Sequence, residues 1–359
     1  MGLFKDMLGS GESVFLNELA LDYSFLPKLL PFRESEQHYI AQCIAPLLQG
    51  RTGKNLLIHG APGIGKTAAA RMVLKELEEE YDEVECIYIN CWTKNTTFKI
   101  YVDICEQLGY KLTHNKRSDE LFNVIKNIVN KKSAVFVFDE IDKVEDTEFL
   151  YTLVEEIFKK TIILITNHED WVDELEPRVR SRVLPEKVAF RPYSAQETKE
   201  ILKQRSEYAF VKGAWDAQAF ALACEEASRF QDIRAGLYLL KEAGQHAEMS
   251  SSKKITSDHV KQALAKMDHF TIKDQEDLED DAQRILEIIK AHDGSRIGDL
   301  YEKYKQTGAT VTYKTFQRRI RKLADNRFID TKRVTGKDGN TTIIEIAKTK
   351  KLSEFGGFK

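Results

Sequence analysis

"GAPGIGKT", Gly60 to Thr67, decides how this chain of 359 residues is to be read. It follows the apolar run "NLLIHG" and leads into "AAARMVLKELEEE", a stretch with helical character. A strand, a glycine-rich turn and a helix in that order make a phosphate-binding loop, because the glycines let backbone N–H groups curl around phosphate oxygens. Lys66 reaches the outer phosphates, and Thr67 offers its hydroxyl to magnesium. A chance glycine-rich turn would lack both flanks. The pattern predicts ATP or ADP with Mg2+ as ligands, and Gly60, Pro62, Gly63, Ile64, Gly65, Lys66, Thr67, Ala68 and Ala69 as the nucleotide-contacting set.

Outward from the loop, "ECIYIN", "AVFVFDE" and "TIILITN" are further short apolar, β-branched runs, with "EKVAF", Glu186 to Phe190, as a fifth. Runs of this kind without strict alternation mark strands buried on both faces, which places them in a parallel sheet flanked by helices. Ligands of such sheets bind outside the carboxyl ends of the strands, so the residues that follow each run matter most. After the third run, Asp139 is positioned to hold the metal with Thr67, and Glu140 to orient water for attack on the γ-phosphate. Asp142 reads as a helix cap or a surface charge. Asn167 ends the fourth run, where an Asn is often only a turn former.

The stretch "LEPRVRSRVLP", Leu175 to Pro185, spaces Arg178, Arg180 and Arg182 two apart. Pro177 suits the first position of a helix, on which Arg178 and Arg182 stack together and Arg180 points away. Such a pair is either solvated decoration or a phosphate clamp.

From Ser194 the pattern is helical only. Ser194 and Glu197 have capping-box spacing and open a helix through about Ala209. Further helices are predicted near Ala217 to Phe230, Ile233 to Ala247 and Ser257 to Met267, with Asp232 as the N-cap before Arg234, and the helical region ends near Phe270. An acidic run, "KDQEDLEDD", then precedes a segment richer in Lys and Arg. Three amphipathic helices followed by a hairpin around Gly336 to Gly339 make a winged helix-turn-helix pattern. Its third helix has an apolar stripe of Phe316, Ile320 and Leu323. Lys314, Arg318 and Arg321 lie on another face, with Arg319 and Lys322 nearby. Together with Lys332, Arg333 and Lys337 they form a surface for docking on a duplex, although charged helices are also ordinary solvated faces and winged helices also dock proteins. The domains read as 1–193, 194–272 and 273–359.

A formal net charge of −3 would not by itself indicate a nucleic-acid partner, and the asymmetry between the acidic run and the basic C-terminus is what does. Five scattered cysteines, never spaced as CxxC, indicate neither a disulfide frame nor a zinc site. No apolar run approaches bilayer length and the start is too charged for a secretory signal, which predicts a cytoplasmic chain without a membrane partner.

The order of P-loop, "DEID", Asn167, arginine turn and helical lid resembles the AAA+ ATPases. "LLPFRESEQ", "YINC", "LEPRVRSR", "FRPYSAQE" and the terminal winged helix are similar to the Orc1/Cdc6 initiator family, particularly its archaeal members, over nearly the whole chain. The resemblance implies an α/β fold: an AAA+ P-loop parallel-sheet domain, a small helical lid domain and a winged helix-turn-helix domain. It implies that Asn167 is sensor 1 and Arg234 sensor 2, and that Tyr193 and Arg205 border the nucleotide. It also implies side-by-side self-association, in which an arginine of one copy faces its neighbour's γ-phosphate; Arg182 is favoured for that task, with Arg178 beside it. The implied partners are double-stranded DNA at replication origins and the minichromosome maintenance replicative helicase. Slow ATP hydrolysis would act as a timer, and a second DNA contact would lie between Cys91 and Asn130.

Two departures qualify the match. Ile64 replaces the Thr usual in "GTGKT", and the wing "TGKDGNTT" lacks the arginine-rich pattern of many relatives, leaving fewer groups to insert beside DNA. The rival readings are a nucleotide-dependent DNA-binding regulator that loads no helicase, and a clamp-loader-like ATPase, which "SR" favours and the terminal winged helix opposes.

Overall fold

The apolar runs become strands, which the computed structural model, describing residues 13–276, 280–307, 311–325, 329–336 and 339–346, assembles into one parallel sheet. These are β1 (Leu56–His59), β2 (Val84–Asn90), β3 (Ser133–Asp139), β4 (Lys160–Ile165) and β5 (Glu186–Ala189), in the order β2-β3-β4-β1-β5. Every residue of β3 and β4 is buried, the signature of strands covered on both faces. Side chains alternate across β3. Phe136 and Phe138 join one core, whereas Val135 and Val137 join the other.

Helices α1 (Glu34–Ile44) and α2 (Lys66–Glu80) supply Ile40, Ala69, Ala70 and Val73 to the valine-side core. Helices α3 (Thr97–Gln107), α4 (Ser118–Val129) and α5 (Glu148–Glu156) supply Ile100, Leu121, Ile125 and Phe149 to the other, and both α3 and α4 lie between β2 and β3. The short α6 (Pro177–Val183) follows, with proline at its first position. Asn90 pairs with Asp139, Asp139 with Ile165, and Ile58 with Ile165. This register brings the loops after β1, β3 and β4 to one end of the sheet.

The chain divides into two compact units, Met1–Leu264 and Ala265–Lys359. The first also contains α7 (Ala195–Ala209), α8 (Ala217–Phe230), α9 (Ile233–Met249) and the start of α10 (Ser257–Glu276). Ser194 and Glu197 form the reciprocal capping box, and Asp232 caps α9 by accepting the Arg234 N–H at 2.9 Å. Helix α10 does not stop near Met267 but continues to Glu276, with no Gly or Pro in residues 268–276 to interrupt it. An N-terminal strap fastens to the lid. Phe15 stacks on Phe210 at 4.9 Å, and the backbones of Val14 and Leu16 bond those of Val211 and Ala209.

In the second unit, α11 (Asp280–Ala291), β6 (Ser295–Arg296), α12 (Ile297–Gln306), α13 (Tyr313–Asp325), β7 (Ile329–Gly336) and β8 (Gly339–Ile346) follow in the order of a winged helix. The sheet is antiparallel with order β6-β8-β7, and the hairpin closes where Gly336 pairs with Gly339. Phe316, Ile320 and Leu323 pack against Ile289, Leu300, Tyr304 and Ile344. Among the described residues no helix is long and apolar enough to cross a membrane.

Candidate nucleotide-binding site

The loop from Gly60 to Thr67 joins β1 to α2, and its shape depends on residues without a Cβ. Gly63 and Gly65 have φ of +72° and +91°. A Cβ on Gly63 would lie 1.8 Å from Asp232 Oδ1, and one on Gly65 would lie 2.6 Å from the Tyr193 hydroxyl. Lys66 is buried, and its ammonium donates to the Gly60 and Ala61 carbonyls at 2.7 and 2.8 Å and to Asn167 Oδ1 at 2.8 Å. Burial brings its pKa down to about 8, with Asp139 opposing the shift.

Asp139, at the end of β3, faces the first residues of α2. Its Oδ2 accepts the hydroxyls of Thr67 and Tyr88, each at 2.7 Å, and its Oδ1 accepts the Glu140 N–H at 3.0 Å. Among the described residues no three His, Cys, Asp or Glu side chains cluster as a metal cage. A hydroxyl beside one carboxylate nevertheless fits magnesium, which keeps several waters and takes its remaining oxygens from phosphates. Glu140 turns into the left-handed region at φ +54°, and burial raises its carboxyl above the ordinary range, with Asp139 adding to the shift.

Asp142 is neither a helix cap nor a surface charge. Only 8% of its side chain is exposed, and it accepts the Thr166 hydroxyl at 2.8 Å. Because β3 and β4 are neighbours, this bond fixes the end of β4 from which Asn167 reaches Lys66.

The lid meets the loop directly. The Ile233 N–H donates to the Gly63 carbonyl at 3.1 Å, so the start of α9 rests on the phosphate-binding turn. Arg234 grips its own helix cap, with Nε and Nη2 on Asp232 at 3.1 and 2.8 Å. Tyr193 and Arg205 join Lys66, Thr67 and Arg234 around a cavity of about 200 Å³. Arg205 is buried, donates to the Phe25 carbonyl at 3.2 Å, and has an Nη1 without a hydrogen-bond partner.

Two contributors lay outside the sequence expectations. The strap residues Tyr23 to Leu26 line the cavity, yet nothing in their composition marks them. Arg33 is fully buried behind the loop and donates to the Ile64 carbonyl through both Nε and Nη2 at 3.0 Å. The quoted "LLPFRESEQ" contains it, but a partner 31 residues away leaves no local signal.

The arginine turn is helical, and none of its three arginines lines this cavity. Arg178 pairs with Glu148 and Glu176 at 3.1 and 3.0 Å, Arg182 with Glu155 at 3.1 Å, and Arg180 with Asp173 at 3.7 Å. All three are about half-exposed. In the second unit Lys314, Arg318, Arg321 and Lys332 are exposed, whereas Arg319 is half-buried and donates to the Tyr304 hydroxyl at 2.9 Å. The side chains of Lys322 and Arg333, and all of Lys337, lie outside the described residues.

Comparison with known proteins agrees with this fold. The AAA domain family matches residues 49–169, and the Cdc6 AAA+ ATPase-type lid domain matches residues 199–265. The fold and site thus define an ATPase of the AAA+ class with a Cdc6-type lid. An ORC1-type DNA replication protein 1 from Methanothermobacter thermautotrophicus is 32% identical over 96% of each chain. One from Pyrococcus furiosus is 33% identical over 74% of this chain and 68% of that one. The chain belongs to the family of ORC1-type DNA replication proteins. Among solved structures, the Aeropyrum pernix ORC1 protein in complex with DNA superposes with a TM-score of 0.70 at 27% identity, covering 94% of each chain. Cdc6p from Pyrobaculum aerophilum shares the fold, with a TM-score of 0.64 at 16% identity over 93% of this chain and 95% of that one.

Proposed function

We propose that this protein is an ATP-switched replication initiator that binds double-stranded origin DNA and helps load the minichromosome maintenance replicative helicase. Residues 1–193 bind nucleotide, 194–272 form the lid and 273–359 grip the duplex, with the cytoplasmic nucleoid as the place of action. The observation that carries this reading is the meeting of Lys66, Thr67, Asp139, Glu140 and Asn167 at one end of the sheet, with the lid helix resting on Gly63. The solved relative in complex with DNA supports the second half.

In this reading the loop amides and the Lys66 ammonium hold the phosphates of ATP. Thr67 and Asp139 would hold magnesium, which would supply neutralisation of phosphate charge. Glu140 orients the attacking water and accepts its proton on a carboxylate oxygen; a raised pKa makes that carboxylate a stronger base. Asn167 positions the outer phosphate group beside Lys66, and Arg234 leaves Asp232 to read it from the lid. Arg182, with Arg178 beside it, leaves its acidic partners to approach the site of a neighbouring copy, where a planar fork suits an anionic transition state. Hydrolysis is slow and serves as a conformational timer.

The test is genome-wide mapping of bound DNA for wild type and Lys66→Ala. Enrichment at replication start sites that changes with the substitution is the expected result. Scattered promoter binding in both would replace the initiator with a regulator.

A further inference from the structure

Arg33 is the largest fully buried side chain among the described residues, and all five of its N–H donors are matched. Besides the two bonds to the Ile64 carbonyl, Nη2 donates to the Arg191 carbonyl at 2.6 Å. Nη1 donates to the Phe32 carbonyl at 2.9 Å and to Glu36 at 3.2 Å. The guanidinium lies 3.9 Å from the centre of the Tyr193 ring. A buried charge is tolerated only with complete pairing, so this geometry is held tightly, and a shift of either carbonyl leaves a donor unmatched.

The two carbonyls belong to parts with different tasks. Ile64 lies in the phosphate-binding turn, and Arg191 lies in the short connection from β5 to the lid, whose far end is the Ser194 cap of α7. Arg191 also clamps Glu197 in the first turn of α7, with bonds of 2.7 and 2.6 Å. The chain of contacts is therefore continuous from the loop through Arg33 to the hinge and the lid. Tyr193 gives it a second connection, since its ring lies under the guanidinium and its hydroxyl abuts Gly65.

We propose that Arg33 is the positioning residue that couples the phosphate-binding loop to the lid hinge, so that a loop reshaped by a triphosphate moves the hinge at Arg191 to Ser194 with it. Lysine could keep the charge but not the planar fork that spans both carbonyls. The inference rests on the nucleotide reading of the site and adds to it a route by which the lid responds.

The test measures uptake of a fluorescent ATP analogue by the full chain, and hydrogen exchange across residues 191–200 without nucleotide and at saturating ATP. Wild type is expected to bind and to change its protection in that segment. Arg33→Lys is expected to bind about tenfold more weakly, a size typical of coupling between sites, and at saturation to show no ATP-dependent change in the segment. A residue that served only the fold would lower the melting temperature and leave that response intact. Should Arg33→Lys not fold, Arg33→Gln, which buries no charge and whose single amide group cannot span both carbonyls, carries the same expectation for the segment at saturation. A response equal to wild type in the folded variant overturns the proposal, as does a wild-type segment indifferent to ATP. Wild type that takes up no ATP would overturn the nucleotide reading itself, and this inference with it.

Discussion

The loop end of the first unit and the basic face of α13 both carry cations, but they hold them differently. Lys66 is buried and bonded to three oxygens, its neighbours Thr67 and Asp139 are bonded to each other, and Arg33 is fixed by five donors. Lys314 and Arg318 instead stand exposed on a helix whose opposite face supplies the core. Fixed, desolvated groups produce large and coupled effects when altered, whereas solvated charges contribute in small, salt-screened and roughly additive steps.

Glu140→Gln should break the first region most severely, slowing hydrolysis by roughly 10²–10⁴-fold, the usual contribution of a positioned base, with ATP affinity unchanged. Single-turnover kinetics at saturating ATP checks it, and unchanged turnover would remove Glu140 from the mechanism. Lys66→Ala should weaken ATP binding by roughly 10²-fold, as loss of one desolvated cationic donor does; titration calorimetry reads this directly.

The pH dependence has a definite sign. Lys66 must be protonated to attract phosphate, and its pKa in the free protein is about 8. ATP affinity should therefore hold steady below that value and fall up to about tenfold per unit above it, with proton uptake on binding. Affinity flat to well above pH 9 would show that Lys66 carries no such shift.

Smaller effects separate the two regions more finely. Asp232→Ala removes the cap of α9 and the partner of Arg234, and should cost about 1 kcal/mol of stability in a denaturant titration. Arg318→Ala should lower duplex affinity modestly and reduce the slope of log affinity against log salt by about 0.9, the share of one phosphate contact. An unchanged slope would place Arg318 away from the DNA.

The same contrast explains what could be read from the chain. The P-loop, "DEID", the Ser194 capping box, the Asp232 cap and the hairpin at Gly336 are local patterns, in which residue type and short spacing state the geometry. The stripe of Phe316, Ile320 and Leu323 was equally legible, because a helix repeats it. Arg33, the strap residues and the role of Asp142 were not. Arg33 meets Arg191 across 158 residues, and Asp142 meets Thr166 only because β3 and β4 are adjacent in the sheet. Arg319 was only partly legible: it lies among the exposed cations in sequence, but the fold half-buries it and it donates to the Tyr304 hydroxyl.

The account requires the nucleotide at Lys66 to govern the grip on DNA, and a duplex-binding titration by fluorescence anisotropy measures this most directly. Performed on wild type and Lys66→Ala with ATP, with ADP and without nucleotide, it should give wild-type affinities that differ between the three conditions and variant affinities that do not. A single wild-type affinity under all three conditions would contradict the account.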